Sequence, residues 1–285
     1  MPVSTWAIAE PRKLTFDEPV SALSVRIVNG TVNVVGTDEP TARLEVSDIE
    51  GPPLVVTLRD GVLTVAYEDL AWQHMLKWLD RKGWHRRAVV SLAVPAGSAV
   101  EVGVVGAGAF VSGIRGRTDV RGVTGDTTLV GLAGPVGAET VSGNVEAQAV
   151  TGDLRFHSVS GDLTVVEGAG ASVKAESVSG NMVLDLDATG RPTDVRLATV
   201  SGELAIRLPH PADAKVEANT ASGSVSNGFE DLRVSGQWGA KKITGTLGSG
   251  TGTLRATTVS GSIALLRRPP AEDDPHDAEP TGKVL

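Results

Sequence analysis

Residues 116–170 read GRTDVRGVTGDTTLVGLAGPVGAETVSGNVEAQAVTGDLRFHSVSGDLTVVEGAG. Gly116, Gly125, Gly134, Gly143, Gly152, Gly161 and Gly170 fall nine residues apart without a slip. With 34 glycines in 285 residues, chance does not place seven in one register. The neighbours keep the same step. Ile114, Val123, Leu132, Val141, Val150 and Val159 stand two before the glycine, and Val120, Leu129, Ala138, Ala147, Phe156 and Val165 stand four after it. Self-similarity at a short fixed period marks a repeat architecture, in which each unit buries its apolar edge by stacking on the next.

The unit runs apolar, Ser/Thr, Gly, Asp/Asn, apolar, as in Val159-Ser160-Gly161-Asp162-Leu163. Branched aliphatic residues suit a pleated strand, whereas glycine with small polar neighbours suits a bend. Later copies centre on Gly180, Gly202, Gly223, Gly245 and Gly261, at steps near twice nine, which predicts a turn of the solenoid built from two units. Upstream, Asn29-Gly30 and Asp60-Gly61 are tight-turn signals between alternating apolar segments. Val28-Asn29-Gly30-Thr31-Val32 already resembles the repeat, so the solenoid or its cap is expected to begin near residue 20, after a lead-in over residues 1–19.

Apolar residues make up 41% of the chain but aromatics only 4%, which suits a narrow stacked interior filled by valine, leucine and alanine. With no cysteine there is no disulfide, thiolate metal site or cysteine nucleophile. Residues 1–11 lack the basic and apolar regions of a signal peptide, and no run approaches the ~18 apolar residues of a spanning helix. The expected location is therefore cytoplasmic, with a peripheral place on the inner membrane face as the variant. A net charge of −8 argues against sequence-independent nucleic-acid binding, which depends on clustered cations. Half of that charge lies in residues 269–285, where five acids face Lys283; this proline- and acid-rich tail is expected to be disordered.

The Thr/Ser-Val-Ser-Gly-Asp/Asn/Ser-Leu/Ile units, above all residues 250–263 (GTGTLRATTVSGSI), resemble the bacterial β-strand-repeat family called toastrack or putative adhesin, a domain family of unknown function. The resemblance covers roughly residues 20–266. It implies an all-β, right-handed, parallel β-solenoid and an association with envelope-stress or regulatory systems. Members often carry membrane segments, which this sequence lacks, and the family offers no catalytic residue to carry over.

The repeated polar positions admit either chemistry or architecture. Ser142, Ser160, Ser179, Ser201, Ser222 and Ser260 form a repeating hydroxyl row, with His157 and Asp162 near Ser160. A triad is recognised by geometry, and a residue repeated in every rung is better explained by turn and ladder hydrogen bonds. Asp126, Asn144, Asp153, Asp162 and Asn181 invite calcium, but the position drifts to Glu203, Ser224, Thr246 and Ser262, short of the convergent oxygens a hard cation needs. The five histidines lack zinc spacing, and Gly248, Gly250 and Gly252 are followed by no phosphate-loop lysine. One tyrosine and four phenylalanines leave few stacking platforms, which discounts glycan chemistry and single-strand nucleic-acid stacking. No catalytic residue, metal or cofactor is assigned.

Residues 70–87 break the repeat and hold three of the five tryptophans. On a helical wheel Trp72, Met75, Leu76 and Leu79 share one face, with His74, Lys77 and Arg81 opposite. The segment carries +4, from Lys77, Arg81, Lys82, Arg86 and Arg87 against Asp80. Three readings stand side by side: a packing cap, a protein-partner contact, and a membrane-surface helix gaining roughly 4 kcal/mol on an anionic bilayer. The candidate contact residues are Trp72, Lys77, Trp78, Arg81, Lys82, Trp84, Arg86 and Arg87. The expected function is a non-enzymatic interaction scaffold with an unknown protein partner; the alternative is a peripheral membrane binder through this helix. Self-association through the solenoid ends is a further possibility of the architecture.

Overall fold

The computed structural model describes residues 4–68, 86–187, 194–237 and 239–268. Among these, every regular element is a strand. The N-terminal part comprises β1 (Ser4–Ile8), β2 (Arg12–Phe16), β3 (Ala22–Ile27), β4 (Asn29–Thr37), β5 (Ala42–Glu50), β6 (Leu54–Arg59), β7 (Val62–Tyr67) and β8 (Arg87–Pro95). The repeat region then alternates β9 (Ala99–Val104) with β10 (Gly108–Ser112), β11 (Thr118–Arg121) with β12 (Thr127–Val130), and β13 (Val136–Thr140) with β14 (Val145–Gln148). It continues through β15 (Leu154–Ser158), β16 (Leu163–Gly168), β17 (Ser172–Ser177), β18 (Met182–Leu186), β19 (Asp194–Thr199) and β20 (Leu204–Leu208). The C-terminal part is β21 (Ala214–Thr220), β22 (Val225–Asn227), β23 (Leu232–Gln237), β24 (Ala240–Leu247), β25 (Gly252–Thr258) and β26 (Ile263–Arg267).

These strands form two long sheets. The first runs β1-β6-β7-β3-β9-β11-β13-β15-β17-β19-β25-β21-β24-β23 and the second β2-β5-β8-β4-β10-β12-β14-β16-β18-β20-β26-β22. Each coil contributes one strand to each sheet, so the nine-residue unit is half a turn. Neighbouring coils pair in parallel and in register, as in Leu154↔Val173 and Leu163↔Met182. Identical positions therefore stack. Alternate residues point between the sheets, where Val120, Leu129, Ala138, Ala147, Phe156 and Val165 are all buried. Burying these aliphatic side chains contributes about 1.5–3 kcal/mol for each valine- or leucine-sized group.

The glycines form two ladders, one at each corner of the coil. A Cβ added to Gly143 or Gly161 would stand 2.2 or 2.1 Å from the carbonyl oxygen of the preceding ladder glycine. Gly134 and Gly152 meet the same obstruction at 2.2 and 1.8 Å on the other corner. Close backbone approach between coils, rather than an unusual φ, is what requires glycine there.

Both ends depart from sequential stacking. At the C-terminus β25 and β26 insert between the β19/β20 coil and β21/β22, so Gly261 stacks on Gly202 and Gly223 stacks on Gly261. This transposition explains the irregular late spacings. Gly245, counted in the sequence as another corner, lies instead inside β24, which pairs antiparallel with β21 and β23. At the N-terminus β7/β8 lie outside β3/β4, and antiparallel β1, β2, β5 and β6 cover them. Residues 4–16, read above as lead-in, thus pair within both sheets. Asp60-Gly61 forms the expected hairpin turn between β6 and β7, with φ of 51° and 76°. Asn29-Gly30 instead opens β4, directly after the chain crosses at Val28 from the first sheet to the second.

The helical excursion expected at 70–87 is not found among the described residues. Residues 69–85 lie outside them, and β8 already begins at Arg87, whose backbone pairs with Asn29 and Glu50. Extended pairing on both sides of β8 excludes a helix through that residue. No helix of the described residues is long and apolar enough to cross a membrane.

Candidate functional site

Of the eight contact residues drawn from the sequence, Trp72, Lys77, Trp78, Arg81, Lys82 and Trp84 lie outside the described residues. Arg86 and Arg87 are described, and both are engaged with the fold. The Arg86 guanidinium stands 5.4 Å from the centroid of the Tyr67 ring, and its carbonyl accepts Asn29 N–H at 3.2 Å. Arg87 lies 3.6 Å from Asp48. Tyr67 is buried, and burial raises its phenol to about 12 against the opposing charge of Arg86.

The hydroxyl row is consumed by architecture. Ser142, Ser160, Ser179, Ser201, Ser222 and Ser260 each donate to a valine carbonyl of the adjoining coil at 3.3–3.5 Å. The acidic and amide row behaves likewise. Asp126, Asn144, Asp162 and Asn181 each accept the backbone N–H of the equivalent residue in the next coil at 2.7–3.1 Å. A second hydroxyl row escaped the sequence reading. Thr140, Ser158, Ser177, Thr199 and Thr258, three before the glycine, accept the glycine N–H at 2.7–3.2 Å. Its signal was present as Ser/Thr at alternate units, every 18 or so residues rather than every nine.

What remains unused is apolar surface. Val141, Val159, Val178, Val200 and Val259 are 46–51% exposed and stack as a ridge along one corner. A shallow groove of about 340 Å³ runs beside it, lined by Val123, Val141, Val159, Arg121 and His157. The outer face of the second sheet adjoins that corner and carries Val35, Phe110 and Val183 exposed, with Thr128, Val130, Thr164 and Val166 half-buried between them. Glu146 and, at the bulged end of β16, exposed Glu167 are the only charges on the strands of this sheet from β4 to β16 among the described residues. A cleft of about 740 Å³ opens at the N-terminal end of this face, between Leu14, Val35, Arg43 and Phe110.

At the other end the same face becomes polar. Buried Asp185 receives hydrogen bonds from Arg207 Nε at 2.7 Å, from Arg207 Nη2, and from Arg268 at 3.1 Å. The Arg207 hydrogen bonds hold its carboxyl below the usual range, burial opposes them, and the Arg268 charge adds to the lowering. The outer face of the first sheet is charged throughout, from Glu101 and Asp119 to Arg255 and Glu217.

No protein-family model and no curated protein matches the chain. Several solved structures are similar to it. One from Parabacteroides distasonis, described as a "Putative lipid binding protein", is 11% identical, with 92% of this chain and 98% of that chain covered, at a TM-score of 0.50. A "putative adhesin" from Parabacteroides merdae is 11% identical, with 94% and 96% covered and a TM-score of 0.42. Another from P. distasonis is 13% identical, with 93% and 97% covered and a TM-score of 0.45. At such identities the likeness concerns the fold.

Proposed function

We propose that this protein is a non-enzymatic interaction scaffold that docks a protein partner on the outer face of its second sheet and the adjoining valine ridge. One observation carries the reading. A nearly uncharged, partly apolar face lies open along several coils of a chain whose other face is charged throughout. Contiguous exposed apolar surface rimmed by polar residues marks an interaction site. The hydroxyls and carboxylates that might have supplied chemistry are committed to coil-to-coil hydrogen bonds.

The test compares captured partners. Val159→Lys with Val178→Lys, and separately Val183→Lys with Thr164→Lys, should each lose the partners held by the wild type, with circular dichroism unchanged. Thr5→Lys with Asp153→Lys, on the opposite sheet and away from the ridge, should retain them. Identical capture by all four proteins would refute the docking face. A cytoplasmic site of action and a place in an envelope-stress pathway are the finer form of this proposal, and cell fractionation with partner identification addresses both.

Self-association is a second reading, favoured by β23 at the end of the first sheet, where Val234 is 53% exposed. An open sheet edge templates further pairing. Light scattering that shows constant mass across concentration would eliminate it.

A further inference from the structure

The outer face of the first sheet changes character halfway along. In its N-terminal half cations are matched by anions: Arg121 lies 3.3 Å from Glu101 and 3.5 Å from Glu139 on the neighbouring strands, and Arg117 holds Asp119 two residues further along the chain. From β15 onward one outward column reads Arg155, Lys174, Arg196 and Arg255 on four successive strands, in register. Arg155, Lys174 and Arg196 make no hydrogen bond or ion pair among the described residues, and Arg255 reaches only Glu217, at 3.9 Å. Like charges facing each other on neighbouring strands are destabilising. The column leads into a cleft of about 560 Å³ that also presents Lys215, Arg233 and Lys242 beside Glu217 and Asp231.

Acids border this column without entering its four rungs. Asp153 and Asp194 stand two residues before Arg155 and Arg196, and Glu176 two after Lys174. The cationic track is therefore one side chain wide, with a rung every ~4.8 Å set by the strand spacing. We propose that it binds a linear acidic polysaccharide, with one carboxylate or sulfate per sugar, laid across the strands along Arg155, Lys174, Arg196 and Arg255.

Width and spacing select this ligand. A flat anionic bilayer would meet the bordering acids as well as the track. An extended peptide repeats same-side groups every ~6.7 Å, which loses register by about 2 Å at each rung. A nucleic-acid strand places phosphates at ~3.4 Å along a duplex, and a single strand seeks aromatic platforms absent from these rungs. A glycan with one anion per sugar advances about one residue per rung, and charge rather than ring stacking holds it. The site is on the opposite sheet from the proposed docking face and does not depend on that reading.

The test uses the full chain and galacturonate oligomers of defined length, at low ionic strength. Affinity should rise with length up to about four sugars and fall as salt is added. Arg155→Gln with Lys174→Gln and Arg196→Gln should weaken binding of polygalacturonate roughly 30-fold, about threefold per cation. Lys13→Gln with Arg59→Gln, which removes two cations elsewhere, should leave it unchanged. Circular dichroism verifies that the triple variant folds. Absent binding, a triple variant that binds like the wild type, or phosphatidylglycerol vesicles or single-stranded DNA held as tightly as polygalacturonate would each overturn the assignment.

Discussion

Two corners close each coil, and the same nine-residue unit writes both. Where the chain passes from the second sheet to the first, Ile114, Leu132 and Val150 turn inward and are at most 2% exposed. Where it passes from the first sheet to the second, Val141, Val159 and Val178 occupy the matching place and are 46–51% exposed. The residue three before the glycine differs as well. On the buried corner Gly113, Gly131, Ala149 and Glu167 all adopt positive φ, between 52° and 67°. On the exposed corner that place holds the hydroxyls that cap the glycine N–H. One corner is closed by a left-handed residue and apolar packing, the other by a side-chain hydrogen bond. The second closure needs no buried side chain, and this frees its valines to form an outward ridge.

The ladder glycines should not discriminate between the corners. Gly152→Ala and Gly161→Ala each drive a Cβ to about 2 Å from a backbone oxygen, and each is expected to cost about 3 kcal/mol or more in urea unfolding. Gly97→Ala, with nothing within 4 Å of its Cβ, should stay within about 0.5 kcal/mol of wild type. The apolar residues should separate the corners sharply. Leu132→Ala removes a fully buried side chain and is expected to cost ~2–5 kcal/mol, whereas Val159→Ala should cost about 0.5 kcal/mol or less. Comparable losses from these two would break the comparison.

The glycine register made the strands, the stacking and the buried positions four after glycine readable, because a repeated close approach leaves a repeated residue. The difference between corners was harder to see. Val141 and Val150 look alike when every ninth residue is aligned, and only alignment at eighteen sets Thr140 and Ser158 apart from Gly131 and Ala149. The transposed C-terminal coil was invisible because nothing local to Gly223 or Gly261 states which coil lies between them. The charged column was hidden for a related reason. Arg155, Lys174, Arg196 and Arg255 are 19, 22 and 59 residues apart and become neighbours only through the register.

Finer substitutions sharpen the comparison at the position three before glycine. Ser177 is buried and accepts Gly180 N–H at 2.9 Å; Ser177→Ala orphans that donor and should cost ~1–2 kcal/mol. Neighbouring Ser179 is exposed and donates to Val159 at 3.3 Å, so Ser179→Ala should cost a few tenths at most, about 0.3 kcal/mol. On the other corner the same position is strained when it is not glycine. Ala149→Gly, at φ 52°, should stabilise the fold by up to about 1 kcal/mol, and unchanged or lower thermal stability would argue against that strain.

The smallest effect is expected where the buried corner turns polar, at the last coils. Asp213 accepts Thr251 N–H at 3.0 Å, Thr251 Oγ1 at 2.7 Å and Ser249 Oγ at 2.9 Å, tying the loop before β25 to the start of β21. The Thr251 hydroxyl and amide, followed by the Ser249 hydroxyl, lower its carboxyl from 3.8 to about 2. These bonds favour the ionised form, so the folded state binds that proton more weakly than the unfolded chain does. The contribution is present above the ordinary value of 3.8 and is lost as pH falls from there through about 2. Asp213 is exposed, so water screens the interaction and the effect should be modest. Asp213→Asn should flatten the acid limb of the stability profile between about pH 4 and 2 and leave it parallel to wild type at neutral pH. An acid limb of unchanged slope would show that the apolar corner, not this carboxylate, holds the last coils together.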